Sequence, residues 1–244
     1  MSQDSPLGQA STYPDEYSPD LLYAIARIDS RLALGLEGAP PFSGMDIWNA
    51  WDLTWLDMQG QPQVATAEIR VPADSVNLVE SKSLKLYLGS VAMSRFESAN
   101  DLAAILARDL TACTGSDVYV AIRPPVSSDS SGVSRLPGQC IDGLKAHCDA
   151  YTVAPELLMA DERTLIAEDL HTNCLRSLCP VTGQPDIGSV MISYRGPQID
   201  RASLLRYIVS FRQHQDFHEA CVERMFMDIR EQCGAEQLSV YARY

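Results

Sequence analysis

Chemistry-bearing residues crowd into one stretch, His171-Thr172-Asn173-Cys174-Leu175-Arg176-Ser177-Leu178-Cys179-Pro180-Val181-Thr182-Gly183-Gln184-Pro185-Asp186. Cys179 follows an apolar run and opens a loop of Pro, Thr and Gly, the kind of loop on which a rigid scaffold presents a nucleophile. Asp186 closes that loop. The six residues between them let the chain fold back and bring thiol and carboxyl to one substrate. Their roles would differ: a thiolate attacks, and a carboxylic acid supplies a proton. An inert cysteine followed by a turn aspartate explains the same spacing. His171-x2-Cys174-x4-Cys179 also has the look of part of a zinc site, with His147-Cys148 as the nearest further ligands. Structural zinc usually takes closer cysteine pairs, and no metal is expected.

Two further groups stand out. Phe217-His218-Glu219 opens a helical pattern. Its ring and carboxylate suit the edge of a purine-like ligand, although Glu219 in a first turn equally complements the helix dipole. Glu80-Ser81-Lys82-Ser83-Leu84-Lys85-Leu86-Tyr87 places a carboxylate just before a helix, with two lysines beside two serines. Lysines and backbone amides at a helix N-terminus can hold phosphate. A charged helix start with a solvated face is the ordinary alternative.

The elements that must position these residues follow a doubled order. In the first half, 51–58 and 63–71 read as a strand pair joined across Gln59-Gly60-Gln61-Pro62. Residues 83–96 read as a helix. Residues 101–113 do so more strongly, with Leu102, Ile105, Leu106 and Leu110 on one face. Val118, Val120 and Ile122 then alternate as a strand. In the second half, Val190, Ile192 and Tyr194 alternate within 187–194. Helices follow at 201–214 and 218–233, and Leu238, Val240 and Ala242 close as a strand. Each half therefore reads strand, strand, helix, helix, strand, an α+β layering. The expected boundaries are a flexible segment at 1–20, a first module at 21–126, a Ser- and Gly-rich linker at 127–138 and a second module at 139–244. No Gly-x-Gly-x-x-Gly follows a strand, so a nicotinamide cofactor would need another kind of site.

Bulk properties narrow the partners. A net charge of −13 leaves too few cations to displace the counterions of a nucleic-acid duplex. No run approaches the roughly 20 apolar residues of a membrane helix, and residues 1–20 lack the basic and apolar parts of a secretory signal. Seven cysteines without an export signal point to reduced thiols in the cytoplasm.

Taken together, the motifs resemble the 7-cyano-7-deazaguanine reductases. The resemblance rests on Glu80-Ser-Lys-Ser-Leu-Lys85-Leu-Tyr87, Asn49-Ala-Trp-Asp-Leu-Thr-Trp55-Leu upstream, and Cys179-x6-Asp186 within Gly-Gln-Pro-Asp. It extends to Arg206-Tyr-Ile-Val-Ser-Phe-Arg212 and Phe217-His218-Glu219-Ala-Cys-Val-Glu-Arg224. It implies the longer branch of that family, two tandem tunnelling-fold modules that each carry an antiparallel sheet with a pair of helices on one face. The implied activity is an NADPH-dependent, four-electron reduction of the nitrile of 7-cyano-7-deazaguanine to an aminomethyl group, in queuosine tRNA modification. By the same resemblance, Cys179 forms a thioimide with the nitrile and Asp186 donates protons. Val79, Glu80, Ser81, His218 and Glu219 hold the deazaguanine, Ser81 and Lys82 touch NADPH, and the chain pairs as a homodimer. Family members usually continue past strand 239–244 into a basic Arg-Arg-Gly-Gly segment that also touches NADPH. For a sequence ending at Tyr244 the expectation is weak NADPH binding beside a complete covalent site. The rival functions are a deazapurine binder without activity and a zinc-dependent hydrolase similar to the GTP cyclohydrolases.

Overall fold

The computed structural model describes residues 14, 16–125 and 134–244. Its contacts divide the chain into two units, Met1–Gly132 and Val133–Tyr244, each with its own apolar core. Both are mixed α+β with mainly antiparallel strands.

The first unit contains β1 (Ala24–Ala26), α1 (Arg27–Leu32), β2 (Met45–Leu56), β3 (Pro62–Pro72), β4 (Asn77–Val79), α2 (Ser81–Ser90), α3 (Ala99–Thr114) and β5 (Tyr119–Arg123). Its main sheet runs β2-β3-β5, and β1 pairs with β4 separately. The β2–β3 turn is fixed by Asp57, whose Oδ1 accepts the N–H groups of Gln59 and Gln61 at 2.9 Å. Gly60 there takes a positive φ of 85°, which glycine adopts without steric cost. Leu102, Leu106 and Leu110 recur every fourth residue and are fully buried. That stripe belongs to the same core as Leu53, Trp55, Ile69 and Val71 of the hairpin. Of the flexible segment expected over 1–20, residues 1–13 lie outside the described residues, and the last part is held. The Tyr17 hydroxyl donates to Asp109 at 2.5 Å and its N–H to Ser94 Oγ at 2.9 Å, and a 3-10 turn follows at Pro19–Leu21.

The second unit contains β6 (Gln139–Cys140), β7 (Ala160–Leu178), β8 (Pro185–Ile199), α4 (Arg201–Ser210), α5 (His218–Cys233) and β9 (Gln237–Arg243). Its sheet runs β6-β7-β8-β9, with β6 parallel to β7 and the rest antiparallel. Val190, Ile192 and Tyr194 face the core as their alternation predicts. Residues 127–133 of the expected linker lie outside the described residues. The remainder is fastened to the second unit, where the Pro137 carbonyl meets His171 Nδ1 at 3.0 Å.

Two expected helices end early, for one shared reason. The predicted helices 83–96 and 201–214 stop at Ser90 and Ser210. These hydroxyls donate back to the carbonyls of Tyr87 and Tyr207 at 2.7 and 2.6 Å. They also accept N–H groups from Ser18 and Ala154, both at 3.2 Å. The chain then leaves each helix to lie beside the end of a hairpin. Leu56 bridges to Arg95, and Leu178 to Gln215. The doubling extends to single residues. Glu80-x-x-Ser83-Leu84-x-x-Tyr87-x-x-Ser90 and Asp200-x-x-Ser203-Leu204-x-x-Tyr207-x-x-Ser210 share their caps, with Glu80 accepting Ser83 N–H and Asp200 accepting Ser203 N–H. They also share a buried pair, since Tyr87 donates to Asp109 and Tyr207 to Asp228, each at 2.7 Å.

Candidate active site

The hairpin between β7 and β8 sets the position of Cys179. Strand pairing runs to Ser177↔Asp186 and Leu178↔Pro185. Cys179 N–H then donates to Gln184 O, and Gly183 N–H to Cys179 O, both at 2.9 Å. Gly183 closes the turn with a φ of 70°, left-handed backbone that favours glycine. Strand β7 ends at Leu178, so Cys179 opens the turn two residues beyond Ser177, the residue paired with Asp186. The loop that looked able to fold back does so as a tight hairpin end.

A strap from the helices completes this end of the sheet. Leu178 N–H donates to His214 O at 2.8 Å, and Gln215 Nε2 donates to Cys179 O at 3.2 Å. Two residues on, Phe217 caps α5 and His218 and Glu219 form its first turn. His218 Nε2 comes within 3.1 Å of Asp186 Oδ2, with both side chains about one-third exposed. The imidazole lies flat against Tyr244, ring centroids 3.8 Å apart and planes 3° apart. Sequence spacing had left Cys179-Asp186 and His218-Glu219 as separate groups; the fold joins them.

The remaining predicted residues lie in the first unit, at the junction of β4 and α2. Val79 ends β4 and is buried. Glu80 is the N-cap of α2 and only 3% exposed. Its Oε2 accepts Ser83 N–H at 2.7 Å, and its Oε1 accepts Lys82 N–H at 3.0 Å and the Ser81 hydroxyl at 3.3 Å. This corrects one expectation. Two first-turn amides that looked free for phosphate are taken by Glu80, and the exposed Lys82 and Lys85 are the cationic groups left. An ionised carboxylate has about four acceptor directions, so Glu80 keeps capacity for a donor edge.

The comparisons with known proteins bear on the whole chain. Residues 13–122 match the family described as "Nitrile reductase, 7-cyano-7-deazaguanine-reductase N-term", and residues 185–244 match "QueF-like protein". The chain is 50% identical over 241 residues to the NADPH-dependent 7-cyano-7-deazaguanine reductase of Bordetella avium, covering 99% of this chain and 88% of that protein. It is 48% identical over 243 residues to the like-named protein of Chromobacterium violaceum, covering 99% and 87%. With that of Burkholderia multivorans it shares 49% over 243 residues, covering 99% and 89%. The chain belongs to the 7-cyano-7-deazaguanine reductase family. Val79 to Lys82 fall inside the first family match and Asp186, His218 and Glu219 inside the second, while Cys179 falls between the two.

Within this reductase fold the other cysteines have different surroundings. All seven are free. Burial pushes the Cys221 thiol up to about 12 and Cys233 up to about 11. It also raises Cys113 and Cys174, so burial disfavours the thiolate at these four. The partial zinc pattern does not converge. His171 turns Nδ1 to a carbonyl, Cys174 Sγ lies 3.7 Å from Asp142, and no group of three or more His, Cys, Asp and Glu among the described residues is placed to hold a metal. Sequence reasoning missed Tyr244 and Gln215. Gln215 carries no local signal, and Tyr244 was visible only as the last residue of the strand expected at 239–244.

Proposed function

We propose that this chain is an NADPH-dependent reductase of the nitrile of 7-cyano-7-deazaguanine, making 7-aminomethyl-7-deazaguanine for queuosine tRNA modification. Relatives about half identical over nearly its whole length carry that reductase name. The observation that carries the chemistry is the 3.1 Å contact between His218 and Asp186 on the hairpin that presents Cys179. In the first step the Cys179 sulfur bonds to the nitrile carbon, one carbon–nitrogen π bond breaks, and nitrogen takes a proton from Asp186, leaving a thioimide. Without that proton the adduct would expel the thiolate again. We assign substrate binding to His218 and Glu219, whose ring and carboxylate suit a donor and acceptor edge, and, on the family resemblance, to Val79, Glu80 and Ser81.

NADPH would supply the two hydrides that carry the four electrons. Lys82 and Lys85 fit its phosphates as exposed ammonium groups, with Ser81 beside them. The doubled hairpin–helix–helix–strand order supports tandem tunnelling-fold modules, which pair between subunits; we assign a homodimer. Free thiols throughout support a cytoplasmic setting. No helix among the described residues is long and apolar enough to cross a membrane.

Intact-mass analysis tests the covalent step. Incubation with the nitrile should add one substrate mass, lost in Cys179→Ala and kept in Cys174→Ala. An adduct that survives Cys179→Ala, or that maps to Cys174, would overturn the assignment.

A further inference from the structure

The contact between His218 and Asp186 needs an imidazole held in one orientation, and little on α5 holds it. His218 occupies the first helical position, after a residue that provides no side-chain cap, and its side chain is 38% exposed. The second torsion of histidine is broad and nearly two-fold, so the ring could turn its nitrogens away from the carboxylate at little cost.

What lies against the ring is Tyr244. The last pair of β8 and β9 is Ser189↔Arg243, which brings the next residue, Tyr244, beside Gly188. A Cβ built on Gly188 would lie 3.1 and 3.2 Å from two carbons of the Tyr244 ring and 2.8 Å from the Arg243 carbonyl oxygen. Gly188 is therefore the seat of that ring, and a side chain there would push on the Arg243 carbonyl and move the ring by a few tenths of an ångström. The same phenol ring stacks on the imidazole, ring centroids 3.8 Å apart and within 3° of parallel. Desolvation pushes the phenol well above its ordinary pKa, so the ring is neutral, while the residue as a whole is 39% exposed.

We propose that Tyr244 is a positioning residue: seated on Gly188, its ring clamps the His218 imidazole so that Nε2 stays on Asp186. The inference rests on the reductase reading for its kinetic consequence, but the clamp exists without substrate. Its role runs through His218 and not through a reacting atom. Aromatic pairs of this kind shift an equilibrium by roughly two- to tenfold, which sets the size of the effect.

The test uses the full chain with Tyr244→Phe, Tyr244→Leu and Gly188→Ala. Two readouts apply: the nitrogen resonances of the His218 ring in the ligand-free protein, and the rate of adduct formation with the nitrile. Phe keeps the ring and should leave both within about twofold of wild type. Leu fills space without a flat face, and Ala at 188 lifts the seat. Both should move the His218 resonances and slow the adduct several-fold, with less effect on the concentration of nitrile needed for half-maximal rate. A Phe variant as slow as Leu, or slowing with unmoved His218 resonances, overturns the clamp; so does a Leu variant that matches wild type. If wild type itself forms no adduct, the reductase reading fails, and the resonances alone decide the clamp.

Discussion

Asp186 is asked to contact His218 and to hand a proton to the nitrile nitrogen, and one substitution separates these tasks. Asp186→Asn keeps the shape and the ability to hydrogen-bond, yet has no acid proton to transfer. Binding of the deazaguanine, measured by calorimetry, should survive. Adduct formation should fall by about 100-fold or more, the range that general acid catalysis spans. A variant that forms the adduct at near wild-type rate would remove Asp186 from the role and make His218 the better candidate. At this scale the sequence was informative where function is local. Cys179 and Asp186 belong to one hairpin, so their spacing carried that placement. The union with His218 was not legible, because it depends on Leu178 and Gln215 pairing across a gap that no local pattern marks. Tyr244 was hidden for the same reason: its seat, Gly188, and its partner, His218, lie on two other elements.

Between residue and domain, the hairpin of β7 and β8 decides whether the site exists, and Asp142 is one of its fasteners. Its Oδ1 accepts the Thr172 hydroxyl at 2.6 Å and Asn173 N–H at 3.0 Å, and its Oδ2 accepts Asn173 Nδ2 at 2.7 Å. These bonds brace β7 where its register against β8 shifts, between Thr172 and Leu175. Burial alone would raise this carboxyl, but the donors from Thr172 and Asn173 outweigh it and hold the value at about 2, against an ordinary 3.8. A folded-state pKa below the unfolded one gives stability that is fully present above the unfolded value and lost as pH falls through the folded one. The unfolding midpoint of wild type should therefore exceed that of Asp142→Asn by a constant margin above roughly pH 5, and the margin should close between roughly pH 4 and pH 2. A margin unchanged in acid would show that the charge at Asp142 contributes nothing. The same shift explains why β7 was not recognised as a strand. Leu170 and Thr172 face the core on one parity and Leu175 and Ser177 on the other, so the two-residue period breaks mid-strand, among polar residues such as Glu168, Asp169 and Asn173. Strands β3 and β8 keep their alternation and were legible, as were the apolar stripes of α3 and α5. The ends of α2 and α4 were not, because Ser90 and Ser210 stop them through bonds to distant backbone.

Over the whole molecule, a chain of net charge −13 must bind a cofactor that is itself a multiple anion. The general field opposes NADPH, so attraction must come from cations within a few ångströms of its phosphates, and Lys82 and Lys85 are exposed on the first turns of α2. Salt separates the two contributions. The Debye length shortens from about 30 Å at 0.01 M to about 10 Å at 0.1 M, so added salt first removes repulsion from the distant acidic surface and only later weakens close contacts. In wild type the close contacts should dominate, and NADPH affinity should decline as salt rises beyond about 0.1 M. In the Lys82→Ala, Lys85→Ala double variant only the repulsion is left. That variant should bind about tenfold more weakly at low salt, two contacts of the strength typical for exposed charges, and its affinity should hold level or improve as salt is added. Fluorescence titration of NADPH against both proteins over a salt series reads the two slopes directly. Parallel declines would mean that other cations carry the phosphates and that the lysines of α2 only face solvent.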